Sequence, residues 1–219
     1  MMDPMQQITA QGRNIEENSF AIIDTEMAHL YGGHQYNKDQ WPVVRRAIHT
    51  TGDFEFSQLF KFSDNAMESG LSAIRHHCPI ITDVTMITSG LSPRRLAQHG
   101  NQAHCFISDE TVIANAIKTG GTRAVDAMRH ARDLGLLDGA IVAIGNAPTA
   151  LFEVLRMVQA GEVQPALIIG IPVGFVKAVE SKQALIEQQQ VSYIASLGRK
   201  GGSPLVVSTL HALMIEASK

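Results

Sequence analysis

Two hydrophobic rhythms alternate along this chain. Short unbroken apolar runs rich in β-branched residues fall at 79–86, 103–107, 140–144 and 166–171. Runs of that length, with no polar alternation, predict strands buried on both faces. Between and after them lie longer stretches with helical apolar spacing, at 63–76, 109–118, 122–134, 149–160, 176–189 and 203–216. That period predicts amphipathic helices. Ser63, Asp109 and Ser203 stand at the start of three of them as candidate N-caps. A further strand is expected at 191–194, and 54–56 reads either as a short strand or as loop. The first part of the chain differs: 5–31 and 39–50 read as helices joined by a polar loop at 32–38. The expectation is a single α/β domain over residues 1–219, with a mainly parallel central sheet flanked by helices and preceded by a helical N-terminal segment.

Composition narrows the classes of function. The chain has 219 residues, 45% of them apolar, which suits one soluble domain with a real core. A net charge of −3 supplies no global basic field, so nucleic acid is not an expected partner. The longest apolar stretch, 166–176, is broken by glycine and proline and is too short to span a bilayer, so no membrane partner is expected. Asp3, Gln6 and Gln7 precede any apolar run, which does not read as a secretory signal. Cys78 and Cys105 lack C-x-x-C spacing and read as reduced thiols of a cytoplasmic protein. The nine histidines are scattered without H-x-x-x-H or H-E-x-x-H spacing, so no metal site is expected.

Candidate chemistry centres on Arg45-Arg46-Ala47-Ile48-His49-Thr50-Thr51-Gly52-Asp53. Histidine exchanges a proton near neutrality, and guanidinium groups grip carboxylates, so the segment suits moving one proton on an acidic substrate. A lone helical histidine is more often structural. Asp53 reads equally as an orienting partner for His49 or as a turn residue after Gly52. Gly145-Asn146-Ala147-Pro148-Thr149 follows a predicted strand and opens a helix, where free amides and the helix dipole favour an anion. It has neither dinucleotide nor Walker spacing, so a carboxylate fits better than a phosphate; on spacing alone it is an ordinary turn. Asp83-Val84-Thr85-Met86 stands at the carboxyl end of a predicted strand, where open α/β sheets bind ligands. Thr85, Thr88 and the accessible amides of Ser89 and Gly90 could contribute there, whereas Met86 reads as core. Arg123 sits in the first turn of its predicted helix, a poor place for a cation. Glu180-Ser181-Lys182 reads as an exposed helix face, and 198–203 as a basic glycine-rich loop that cradles an anion or forms a lid.

Taken in order, these segments resemble the precorrin-8X methylmutases of corrin-ring (cobalamin) biosynthesis. Residues 46–53 are similar to the family signature R-x-I-H-x-T-G-D, and 15–20 (IEENSF), 79–86 (PIITDVTM), 120–124 (GGTRA), 145–151 (GNAPTAL) and 172–176 (PVGFV) running into 180–182 (ESK) agree in sequence order. The resemblance extends from about Ile8 to Ile215; residues 1–7 precede it and read as disordered or as a start-site artefact. It implies an isomerase that moves a methyl group from C-11 to C-12 of a carboxylate-rimmed tetrapyrrole without a cofactor. Precorrin-8X would give hydrogenobyrinic acid, and its cobalt-containing analogue cobyrinic acid. His49 would lie beside the migrating methyl and hydrogen-bond or protonate a ring nitrogen, and Arg123 would grip a substrate carboxylate. The same resemblance points to Ser19, Asn146, Ala147 and Thr149 as substrate contacts, beside Arg45, Arg46, Thr85, Ser89 and Gly90 from the residues themselves, and to a homodimer. Two other readings stay open on the residues alone. A nucleotide- or phosphate-dependent transferase on a doubly wound sheet predicts nucleotide binding and magnesium dependence. A non-catalytic tetrapyrrole-binding protein would lose nothing when His49 is replaced.

Overall fold

The buried strand residues divide between two hydrophobic layers in strict alternation. Ile80, Ile141, Ala143, Leu167, Ile169 and Ile194 pack into one layer, and Ile81, Val142, Ile144, Ile168 and Ala195 into the other. A sheet covered on both faces needs apolar side chains at every position, which is why its strands appear as unbroken apolar runs.

The computed structural model describes residues 9–219. In chain order the elements are α1 (Ala10–Leu30), α2 (Trp41–Thr51), α3 (Phe56–Leu59), β1 (Phe60–Phe62), α4 (Ala66–Arg75), β2 (Ile80–Thr82), α5 (Thr85–Gly90), α6 (Pro93–His99), β3 (Ala103–His104), α7 (Glu110–Thr119), α8 (Arg123–Asp133), β4 (Ile141–Ile144), α9 (Pro148–Gln159), β5 (Leu167–Gly170), α10 (Ala178–Glu187), β6 (Tyr193–Ser196) and α11 (Ser203–Ala217). The strand order is β1-β6-β5-β4-β2-β3. All neighbours are parallel except β1, which pairs antiparallel with β6. Helices α1 to α5 and α11 contribute to one layer, and α7 to α10 to the other. The N-terminal helical segment is therefore part of the same body: Ile23 and Met27 of α1 enter the first layer beside Val43, Val44, Ala47 and Ile48 of α2. No helix among the described residues is long and apolar enough to cross a membrane.

Several expected boundaries move. The expectations for residues 1–7, and for a helix beginning at 5, lie outside the described residues. Strand β2 stops at Thr82, because Asp83 turns the chain and Thr85 already begins α5. The segment 54–56 is not a strand: Phe56 starts a single helical turn, and the edge strand follows at 60–62. The last strand runs 193–196, not 191–194. Ser63 does not cap α4, whose N-cap is Asn65; instead its Oγ accepts the Tyr193 amide at 2.9 Å. Ser203 is the first residue of α11, with Gly202 at the N-cap, and Asp109 holds the N-cap position of α7 without a side-chain bond.

The five parallel strands follow the doubly wound order. From β2 the chain steps outward to β3, then crosses back to β4, β5 and β6. The switch point therefore lies between the carboxyl ends of β2 and β4, where ligands of such sheets usually bind.

Candidate functional site

The switch point is filled by the protein itself. Asp83, directly after β2, is buried and accepts three amide bonds from the turn after β4: Gly145 at 3.0 Å, Asn146 at 2.8 Å and Ala147 at 2.6 Å. Burial pushes its pKa above the usual carboxylate range, and the three amides oppose that shift. The anion-favouring geometry expected of this loop is real, but the anion is Asp83. The amides of Asn146 and Ala147 are thereby withdrawn from a ligand, and a phosphate has no place in the slot. Pro148 starts α9, and Thr149 Oγ1 lies 3.2 Å from Thr122 Oγ1, joining the starts of α9 and α8. Arg123, the first residue of α8, is exposed at this edge and has no ion-pair partner among the described residues.

His49 stands on the other side of the sheet edge, in the last turn of α2. Apolar Val43, Val44, Ala47 and Ile48 turn inward, which leaves His49 and Thr50 exposed. Gly52 ends the helix in the left-handed conformation (φ 67°) that an L side chain rarely adopts, its N–H bonding Ile48 O at 2.7 Å. The arginines on this helix are held by α1. Arg45 Nη1 bonds Asp24 Oδ2 at 2.6 Å, Trp41 Nε1 bonds Asp24 Oδ1 at 2.8 Å, and Arg46 Nη2 bonds Glu16 Oε1 at 2.8 Å. Phe20 sits among them: the Arg45 guanidinium is 4.5 Å and the His49 ring 5.2 Å from its centroid. The neighbouring Ser19 spends its hydroxyl proton on Ile15 O at 2.7 Å. α1 and α2 thus form a braced pair that presents one imidazole to solvent.

Asp53 does not orient His49. Its carboxylate pairs with Lys200, which also meets Glu55 at 2.6 Å, and the Lys200 contact holds the Asp53 carboxyl below its ordinary range. Lys200 belongs to the glycine-rich loop after β6, so this cluster docks the end of α2 on the carboxyl edge of the sheet. The loop is pinned, not free. Lys182 Nζ donates to Lys200 O at 2.9 Å and to Ser196 Oγ at 3.4 Å, and Ser196 Oγ also bonds Lys200 O at 2.9 Å. Gly201 passes so close to the segment just after β5 that an added Cβ would collide with Ile171 O. The Glu180-Ser181-Lys182 segment is accordingly not an exposed face: Ser181 and Lys182 are buried, and burial lowers the Lys182 pKa to about 8. Arg199, on the same loop, stacks on exposed Phe175 at 5.1 Å.

Beside His49, a cleft of about 320 Å³ opens between α2, α5 and α11, lined by Arg46, Thr50, Met86, Gly90, Val207 and His211 among others. Met86 is not core but 65% exposed at this cleft. Thr85 and Ser89 are exposed on the short α5. The sheet edge therefore carries two groups of expected residues: His49, Arg46, Thr85, Ser89 and Gly90 on the α2 side, and Arg123 and Thr149 on the α8 side. Phe20, Asp83 and His211 were not foreseen as site residues, and Lys200, expected in an anion-cradling loop or lid, instead pairs with Asp53 and Glu55. The one available signal for Asp83 was a charged residue ending an apolar strand, and for His211 a lone imidazole in an otherwise apolar helix.

Residues 14–216 match the family described as precorrin-8X methylmutase. A cobalt-precorrin-8 methylmutase of Leptospira interrogans is 46% identical, over 98% of each chain. The chain belongs to the precorrin-8X methylmutase family. A precorrin-8X methylmutase of Sinorhizobium is 38% identical over 92% of this chain and 93% of its own. The crystal structure of a precorrin-8X methylmutase from Thermus thermophilus superposes with a TM-score of 0.88 at 47% identity, covering 94% of this chain and 97% of that one. Membership makes the chain an isomerase of cobalamin biosynthesis with a corrin-type tetrapyrrole substrate. The transferase reading loses both its family and its phosphate slot.

Proposed function

We propose that this methylmutase moves the methyl group from C-11 to C-12 of precorrin-8X or its cobalt-containing analogue, with His49 as proton donor to a ring nitrogen. The observation that carries the reading is the placement of His49: exposed at the carboxyl edge of the sheet, on a helix braced by two arginine–carboxylate pairs. A proton or strong hydrogen bond on the ring nitrogen withdraws electron density from the conjugated system. The receiving carbon becomes electron-poor and the migration barrier falls. The migrating carbon needs no protein nucleophile. Arg123, exposed and without an ion-pair partner among the described residues, is the best-placed cation for a rim carboxylate, with Thr149 and Thr85 as hydroxyl contacts. Arg45 and Arg46 act first as braces, and Arg46 also borders the cleft. Holding the ring by its acids is what lets His49 meet one nitrogen only. Exposed Met86, Val173, Phe175 and Val176 supply apolar surface for a flat ligand.

The direct test is a visible spectrum of purified protein mixed with each substrate form. Conversion to the corrin spectrum with either one is the expected result. Binding without conversion of either would favour the non-catalytic carrier, and no binding would end the proposal.

The same reading takes the enzyme as a cytoplasmic homodimer. Support comes from α1, whose outward face exposes Ile15, Ile22 and Leu30 at 59%, 58% and 72%, and from the unbridged Cys78 and Cys105. Sedimentation equilibrium should give twice the chain mass of 23.8 kDa; a monomer at micromolar concentration would refute the dimer.

A further inference from the structure

His211 is a histidine whose protonation pattern the backbone dictates. Its Nε2 lies 3.0 Å from the amide nitrogen of Ser92 at the start of α6. An amide can only donate, so Nε2 must accept, and the ring proton must sit on Nδ1. Protonating Nε2 would break the Ser92 bond. The electrostatics agree: burial, with Arg95 and Arg46 nearby, lowers the His211 pKa to about 4. At neutral pH this imidazole is therefore a neutral, fixed N–H donor.

His211 lines the cleft between α2, α5 and α11. The two hydroxyls of the lining are engaged within their own helices: Thr50 Oγ1 donates to Arg46 O at 2.7 Å and Ser208 Oγ to Leu205 O at 2.9 Å. The Nδ1–H of His211 has no protein acceptor among the described residues, and the Arg46 guanidinium retains N–H groups beyond the one bound to Glu16. No acidic residue lines the cleft, and Met86, Val207 and Pro204 give it apolar walls. A cleft with a cation and a neutral N–H at its polar end, methylene-compatible walls and no carboxylate is complementary to an aliphatic acid.

Resting on the reaction proposed above, we infer that this cleft is the subsite for one carboxylate arm of the tetrapyrrole rim, received by His211 Nδ1–H and Arg46. His211 is then a specificity-determining residue that distinguishes an acid arm from its amide. Placed beside His49, the anchored arm sets which edge of the macrocycle faces the proton donor.

The test uses the intact protein and the reaction product as probe, alongside product forms in which one rim acid at a time is a primary amide. Dissociation constants are read from the absorbance change on binding. His211→Gln keeps an acceptor where Nε2 meets Ser92 but loses the donor at the Nδ1 position. His211→Asn keeps a donor near Nδ1 and loses the acceptor. Wild-type protein should bind the full acid and lose about tenfold in affinity when one particular arm is amidated, as for one lost hydrogen bond. His211→Gln should bind the full acid about tenfold more weakly and no longer discriminate against that amide, with the loss falling on KM more than on kcat. His211→Asn should keep near-wild-type affinity while losing thermal stability. A role in packing alone predicts the opposite order for the two variants, and that result would overturn the subsite. So would a folded His211→Gln protein that binds and discriminates like the wild type. Failure of the wild type to bind the product would instead remove the proposed reaction, and the subsite with it.

Discussion

Replacing His49 with alanine is expected to lower kcat by roughly 10²–10⁴-fold, the usual contribution of a positioned general acid. Product affinity should stay within about threefold, because the proton donor acts on the transition state more than on the bound ring. The structure makes the experiment clean. His49 is exposed, its ring lies 5.2 Å from that of Phe20, and the apolar face of α2 that holds the helix in place is untouched by the change. Its removal should cost little stability, within about 0.5 kcal/mol for such a surface position. Single-turnover spectroscopy with the substrate, beside equilibrium binding of the product, separates the two effects. A kcat reduced by less than about tenfold would remove His49 as the proton donor and leave it a contact residue. His49→Asn adds a further distinction: it retains a hydrogen-bond donor and cannot transfer a proton, so partial recovery would favour hydrogen bonding over full protonation.

The largest effect on stability should come from Asp83→Ala. The Asp83 carboxylate satisfies three amides of the turn between β4 and α9. Deleting it leaves those donors without an acceptor where Gly145 and Ala147 are buried, and an unsatisfied buried donor costs about 1–3 kcal/mol, so a loss of about 3–5 kcal/mol is expected. For a chain of this size each kcal/mol moves Tm by about 2–4 °C, so a fall of roughly 10 °C is expected in calorimetry or far-ultraviolet circular dichroism. Asp83→Asn, which keeps one acceptor and the side-chain volume, should fall between the two. A Tm for Asp83→Ala within about 3 °C of wild type would show that the turn holds without its carboxylate. The same variant should weaken substrate binding, because the turn sets the start of α9, where Thr149 meets Thr122 beside Arg123.

The centre of the sheet was legible from the chain because β2, β4 and β5 bury both faces, and an apolar run needs no partner to be recognised. The same holds for α7 to α9, where one-sided burial leaves a helical period, whereas α11 is buried nearly all round. The exposure of His49 has a local cause: Val43, Val44, Ala47 and Ile48 turn inward and leave the histidine outside. The three residues of β1 and the six of α5 are too short to display any period, and only pairing with β6 and packing against α11 define them.

Charge was where local reading failed. Glu180, Ser181 and Lys182 are all polar, yet Lys182 is buried because the loop 198–202 covers it and offers a carbonyl. Asp83 and the amides of 145–147 are 62 to 64 residues apart, so their union is invisible until β2 and β4 lie side by side. Asp53 and Lys200, 147 residues apart, meet for the same reason. The proton on His211 depends on an amide 119 positions away. Hydrophobic burial is decided residue by residue along the chain, and so it is written in the local pattern. The partner of a charge or a hydrogen-bonding group is decided by which segments the folded sheet brings together, and that choice exists only in three dimensions.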